Sequence, residues 1–234
     1  MRKHIYVISR CQMNVQYIII NRNKMMKKLL FTMLMMMSMS CSMAQDIQLP
    51  TPDKQEKTLS VVEALAARHS VRSYTDQQLT AQQLSNLCWA AAGVSRDANH
   101  RTAPTAMNRQ EIRLYAFTAE GAYEYDAPTN VLKLVAKGDH RDLVAGPQEF
   151  AATAPVSLVM VIDFEKFGTN DQRALMMGCV DAGNVSENIN LYCQAAGLAT
   201  VPRATMDVAG LRSLLGLTDQ QLPIMNNPVG WEKK

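Results

Sequence analysis

The stretch 171–196, DQRALMMGCVDAGNVSENINLYCQAA, constrains this chain most. Leu175, Met176, Cys179, Ala182, Gly183, Ile189, Tyr192 and Ala196 recur in it at helical intervals. A helix so long and so apolar does not lie alone on a surface, so it is central or it sits in a subunit interface. Gly178, Ala182 and Gly183 leave room for another backbone to come close.

The elements around it give an α+β chain. APVSLVMVIDF, 154–164, is an almost unbroken apolar run of strand length, which predicts a strand covered on both faces. EIRLYAF, AYEYD and VLKLVA are separated by TAEG and APTN, turn residues between β-prone runs, and predict a three-stranded antiparallel meander. LSVVEALAARHS and LTAQQLSNLCWAAAGV have helix spacing, the second opening on a Thr80–Gln83 capping box and closing at Gly93. Residues 94–109 read as a loop, PQEFAAT as a short helix and LATVPRATM as strand and loop. VAGLRSLLGL reads as a helix ending near Gly216, and LPIMNNPVG as a last strand broken at Asn226 and Asn227. Residues 45–58 are polar with two prolines and predict an extended arm before a single domain over 59–234.

The overall charge of +3 misleads. The first 44 residues hold seven Lys or Arg and no acid, leaving 17 basic and 21 acidic residues beyond them, a net of −4. No basic nucleic-acid-binding face is expected. Ten of the 16 methionines also fall there. MMKKLLFTMLMMMSMSCSMAQD, 25–46, has the form of a secretory signal, with Lys27 and Lys28, an apolar run from Leu29 to Met39, and Ser42-Met43-Ala44 as cleavage site. The expected location is therefore the periplasm. Lipidation at Cys41 is the alternative to cleavage after Ala44, and residues 1–24 read as an upstream extension. Cys88, Cys179 and Cys193, an odd number in apolar helical patterns, read as free thiols.

Two stretches carry candidate chemistry. In ARHSVRSY, Arg68 and Arg72 stand four apart around Ser70 at the end of an apolar helix. Such a pair either complements a helix C-terminus or binds an anion, since guanidinium groups hold phosphate bidentately. APTAMNRQ, 103–110, is a loop whose Asn108 amide suits the donor and acceptor edge of a heterocycle. His69, His100 and His140 are scattered, with no metal-ligand spacing. No G-x-S-x-G or G-x-G-x-x-G occurs, which argues against a serine hydrolase and a Rossmann-bound nicotinamide.

Together these stretches resemble the flavin-dependent nitroreductase family. RHSVRSY resembles its opening R-x-S-x-R-x-[YF] element. APTAMNRQEIRLYAF is similar to its P-[ST]-[AS]-x-N-x-Q loop and first central strand, and DAGNVSENINLYCQAAGLATVP to its long helix and following strand. The likeness runs from about Leu59 to Gly230, and GVSR, 93–96, looks most like the subgroup with azoline-oxidising members.

The resemblance implies a mostly antiparallel central sheet flanked by helices, in an intertwined homodimer with FMN between the subunits. It implies phosphate contacts from Arg68 and Ser70, with His69 in the same segment. Arg72 then serves the ribityl chain and the N1/C2=O edge, and Pro104, Thr105, Ala106 and Asn108 form the loop at the pyrimidine edge. Pro202, Arg203, Ala204 and Thr205 lie beside the ring, and Lys233 and Lys234 are further phosphate contacts. Asp181, Glu187 and Asn188 are expected to make interhelical hydrogen bonds rather than to act in catalysis. The implied activity is ping-pong two-electron transfer from a small-molecule donor to an electron-poor acceptor such as a nitro compound or quinone. The alternatives are an exported flavin-binding protein without turnover and a substrate-specific flavin oxidase or dehydrogenase.

Overall fold

The structure, a computed structural model, describes residues 45–233. In chain order it forms β1 (Ile47–Gln48), α1 (Val61–Ala67), α2 (Ala81–Ala92), β2 (Ile112–Phe117), β3 (Gly121–Asp126), β4 (Val131–Lys137) and α3 (Arg141–Ala145). There follow β5 (Val156–Asp163), α4 (Gln172–Ala195), β6 (Ala199–Thr200), α5 (Val208–Leu214) and β7 (Gln221–Gly230). The signal-like segment, Cys41 and Lys234 lie outside the described residues.

The strands make one antiparallel sheet in the order β1-β4-β3-β2-β5-β7-β6. The expected meander is β2–β3–β4. All eight residues of β5 are buried, as an apolar run covered on both faces requires. On one face Leu114, Leu158 and Met160 pack with Ala182, Val185 and Ile189 of α4 and with Leu87 and Cys88 of α2. On the other, Tyr115, Phe117, Val159 and Val161 pack under Val144 and Leu211. Burying each large side chain of this kind stabilises the fold by ~1.5–3 kcal/mol. Cys88 and Cys193 are buried free thiols, and Cys179 is a half-buried one.

The long helix runs over 24 residues from its N-cap Asp171, whose side chain accepts from Ala174 N–H. Its close approach to the sheet falls at Gly178, where an added Cβ would lie 2.7 Å from Ile162 Cδ1. Gly183 meets nothing and faces open space. Met176 and Val180, four apart on the helix, are more than half exposed. One face of α4 is therefore core, and another apolar stripe is uncovered in the single chain.

The last strand departs from expectation. β7 is continuous through Asn226 and Asn227, both fully buried. Asn227 accepts from Ser186 Oγ at 2.7 Å and donates to Asn190 Oδ1 and Thr200 Oγ1. Asn226 accepts from Arg203 and donates to Thr205 O. Polar residues do not break a strand when every amide group finds a partner. The arm over 45–58 contributes β1 and then wraps α2, where Ser85 donates to Pro50 O and Asn86 accepts from Asp53 N–H.

Candidate active site

Helix α1 stops at Ala67, and Arg68 already has non-helical φ/ψ of −56° and 127°. Residues 68–73 lie outside any helix, so Arg68 and Arg72 are not stacked one helical turn apart. This corrects the helical spacing assumed from sequence. The segment is tied down: Val71 is buried and its N–H donates to Thr200 O, and the Tyr74 hydroxyl donates to Val71 O. Arg68, Ser70 and Arg72 are exposed, and among the described residues their side chains make no hydrogen bond or ion pair. His69 lies 3.8 Å from Glu232, and Lys233 is fixed alongside, its N–H donating to Ser73 O.

The 202–205 segment links β6 to α5, with Ala204 exposed and Pro202 and Thr205 half-buried. Arg203 is turned into the protein. Its guanidinium donates to Asn226 Oδ1, Gln148 Oε1, Val144 O and Ala145 O at 2.7–3.2 Å, and it stacks over Phe150. Burial pulls its pKa down. What this segment offers a ligand is backbone, since among the described residues the N–H groups of Ala204 and Thr205 have no acceptor.

The 104–110 loop is strained. Met107, Asn108 and Gln110 have φ of 53–54°, a left-handed conformation uncommon for side-chain-bearing residues and costing ~1–3 kcal/mol each. The loop holds itself there. Thr105 Oγ1 accepts from Gln110 N–H, and Asn108 and Gln110 both donate to Asn99 O. Met107 stands out at the tip, 77 % exposed. Beyond the loop lies a depression of about 500 Å³ lined by Ser95, Arg96, His100, Pro104 and Asn108 among others.

Beneath the loop lies a pair of acids that sequence reading missed. Glu111 is fully buried, and among the described residues neither of its carboxyl oxygens meets a donor. Its polar neighbour is the carboxyl of Asp181 on α4, whose Oδ2 accepts from Ala106 N–H at 2.6 Å. Two carboxylates cannot bond each other without a proton. Burial first, and Asp181 second, push Glu111 up to about 8, so near neutral pH its carboxyl is held in the neutral form. The clue in the sequence was an acid directly ahead of the apolar strand IRLYAF. Asp181 thus serves the loop rather than another helix. Asn188 does bridge helices by donating to Ala90 O, while Glu187 accepts from Asn190 one turn along.

In one chain these parts form two half-sites. Pro104 and Ala106 are anchored on Asn184 and Asp181, whereas His69 and Val71 border a pocket shared with Asn190 and Gln194. At ~1.5 Å per helical residue, the anchors lie roughly 10–20 Å apart along α4.

An antiparallel sheet backed by a long central helix, with exposed Arg68 and Arg72 at one edge and a strained polar loop on the helix, defines a mixed α+β class. The chain belongs to the nitroreductase family, whose model matches residues 65–231. It is 26 % identical over 201 residues to a Methanocaldococcus jannaschii protein described as a nitroreductase, covering 80 % of this chain and 98 % of that one. It is 24 % identical over 155 residues to the FMN reductase [NAD(P)H] of Bacillus subtilis, covering 61 % of this chain and 53 % of the relative. Among solved structures, a Ralstonia eutropha JMP134 protein described as a nitroreductase superposes with a TM-score of 0.77 at 31 % identity, over 82 % of this chain and 92 % of that one. The NADPH:FMN oxidoreductase of Vibrio harveyi shares the fold, with a TM-score of 0.57 at 20 % identity over 74 % of this chain and 69 % of that one.

Proposed function

We propose that the protein is an FMN-dependent oxidoreductase, active as a homodimer, passing electrons in pairs from a small-molecule donor to an electron-poor acceptor. The observation that carries this is the row Arg68, Ser70 and Arg72. It puts two fixed charges and a hydroxyl, all exposed, within five residues of a segment pinned at Val71, with no acceptor among the described residues. That donor set fits a phosphate. Arg68 and Ser70 would hold the phosphate, with Lys233 close by. The charge of Arg72 would stabilise the electron density a flavin gains on reduction. Ala204 and Thr205 would offer backbone N–H groups to the ring edge. Bound FMN supplies the two-electron chemistry, and the protein supplies position and electrostatics.

The two half-sites support a dimer in which the 104–108 loop of one copy completes the cradle of the other. So do the uncovered apolar residues: Val61, Val62 and Leu65 on α1, and Met176 and Val180 on α4. Large exposed apolar patches mark association surfaces. GVSR at the end of α2 favours the azoline-oxidising subgroup within the family.

The signal-like stretch favours export to the periplasm, as a cleaved protein or anchored at Cys41. An exported enzyme is expected to draw electrons from a donor other than NADH or NADPH. Anaerobic mixing of FMN-loaded protein with each nicotinamide tests this. The visible flavin band should persist at micromolar nicotinamide, and rapid bleaching by either would contradict the donor assignment.

A further inference from the structure

A cleft of about 440 Å³ opens behind the strained loop, away from the Arg68–Arg72 row. Thr105, Arg109 and Gln110 form one wall, and Arg101, Tyr125 and Ala127 line it further round. Its apolar surface includes Ile112, Leu114 and Val185. The volume is that of a small-molecule site.

The charges on this lining do not cancel locally. Arg113 is consumed by Glu124 in a two-bond pair at 2.8 Å, and Asp126 is paired with Lys133 at 2.7 Å. Arg101, Arg109 and Lys166 remain, against the single acid Asp163, which is occupied in capping Glu165 N–H and accepting from Gln221. Among the described residues, Arg101 Nη1 and Arg109 Nε meet no acceptor. Arg109 is held rigidly, with Nη1 donating to Lys166 O at 2.6 Å and the guanidinium 5.7 Å from the Phe167 ring centre. The guanidinium groups of Arg101 and Arg109 both line the cleft with N–H donors left over, a donor set that suits an oxyanion.

We propose that this cleft binds a compact organic anion, its carboxylate or phosphate accepting from Arg101 and Arg109 and its apolar body lying on Ile112, Leu114 and Val185. The cleft shares Thr105 with the proposed flavin loop, but none of Arg68, Ser70 and Arg72 lines it. A ligand there would touch the inner side of the 105–110 loop, and so bear on the loop's conformation.

Calorimetric titration of the purified full chain, with no FMN added, tests the proposal with benzoate, benzamide and inorganic phosphate as probes. Benzoate should bind saturably at millimolar concentration or below, more tightly than inorganic phosphate, and benzamide should not bind. Arg101→Gln and Arg109→Gln should each weaken benzoate binding at least tenfold, and added salt should weaken it in the parent. Ala127→Phe, which fills the cleft from the β3–β4 turn, should abolish binding while leaving both arginines in place. Arg68→Glu should leave benzoate binding unchanged, whatever it does to FMN. The proposal is overturned if benzoate fails to bind, if benzamide binds equally, if phosphate binds more tightly, or if the cleft variants bind benzoate as the parent does.

Discussion

Glu111 lies buried beside Asp181, whose Oδ2 holds the Ala106 N–H at 2.6 Å. A buried acid at the start of a central strand is thereby linked to the geometry of the loop above it. Arg109 is the cation that bears on Glu111, drawing its pKa the opposite way from burial and from Asp181.

This pair makes stability depend on pH. The carboxyl of Glu111 titrates at its ordinary 4.5 in the unfolded chain and at about 8 in the folded one. Between those values the folded chain keeps a proton that the unfolded chain has lost. Stability from this group is therefore full below about 4.5, falls as pH rises, and is lost above about 8, with a slope of up to ~1.4 kcal/mol per pH unit. Glu111→Gln keeps a donor toward Asp181 without needing the proton. Urea denaturation across pH 5–9 should show a flatter profile in the variant and a stability above the parent at the alkaline end.

Asp181→Ala should act through the loop. It strips the acceptor from Ala106 N–H and leaves three left-handed residues without that anchor. Stability should fall by about 1–3 kcal/mol, and proteolysis should cut first within 104–110. Asp181→Asn, which retains an acceptor, should restore most of the resistance.

Arg203→Met should be among the most destabilising single changes. The guanidinium satisfies two backbone carbonyls and two side-chain amide oxygens in a buried cluster, and methionine leaves all four without that donor. A loss of about 3 kcal/mol or more in chemical denaturation is expected.

Gly178→Ala tests the closest approach of α4 to the sheet. The new Cβ would stand 2.7–2.9 Å from three Ile162 carbons in a strand with no freedom to move. The expected cost is ~1–3 kcal/mol despite alanine's better helix propensity, and Gly183→Ala, which meets nothing, should be neutral or mildly stabilising.

Local periodicity made most of the fold legible in the sequence. The long helix, the doubly buried strand, the meander and the Thr80–Gln83 capping box all depend on spacing within a few residues. Gly93 was placed correctly for another reason. Its φ of −73° is ordinary, and glycine is needed because a Cβ would lie 2.4 Å from Trp89 Cδ1. What sequence reading missed depends on partners distant in the chain. Asn226 and Asn227 looked like strand breakers because Ser186, Asn190 and Arg203, which satisfy them, lie at least 23 residues away. Nothing local in the sequence shows that the Arg203 guanidinium points inward, to Asn226, Gln148 and the Val144 and Ala145 carbonyls. The helical spacing of Arg68 and Arg72 hid a non-helical segment, which begins at Arg68 and is tied to Thr200 through Val71. Glu111 was hidden because Asp181 stands 70 positions further along.

The central claim is that the basic segment with Arg68 and Arg72 holds the phosphate of a flavin. Equilibrium titration of the apoprotein with FMN, followed by quenching of flavin fluorescence, tests it most directly. The parent should bind FMN much more tightly than riboflavin, which lacks the phosphate, and the double change Arg68→Glu with Arg72→Glu should remove that difference and weaken FMN at least a hundredfold. FMN binding that is absent in the parent, or that survives the double charge reversal unchanged, would contradict the account.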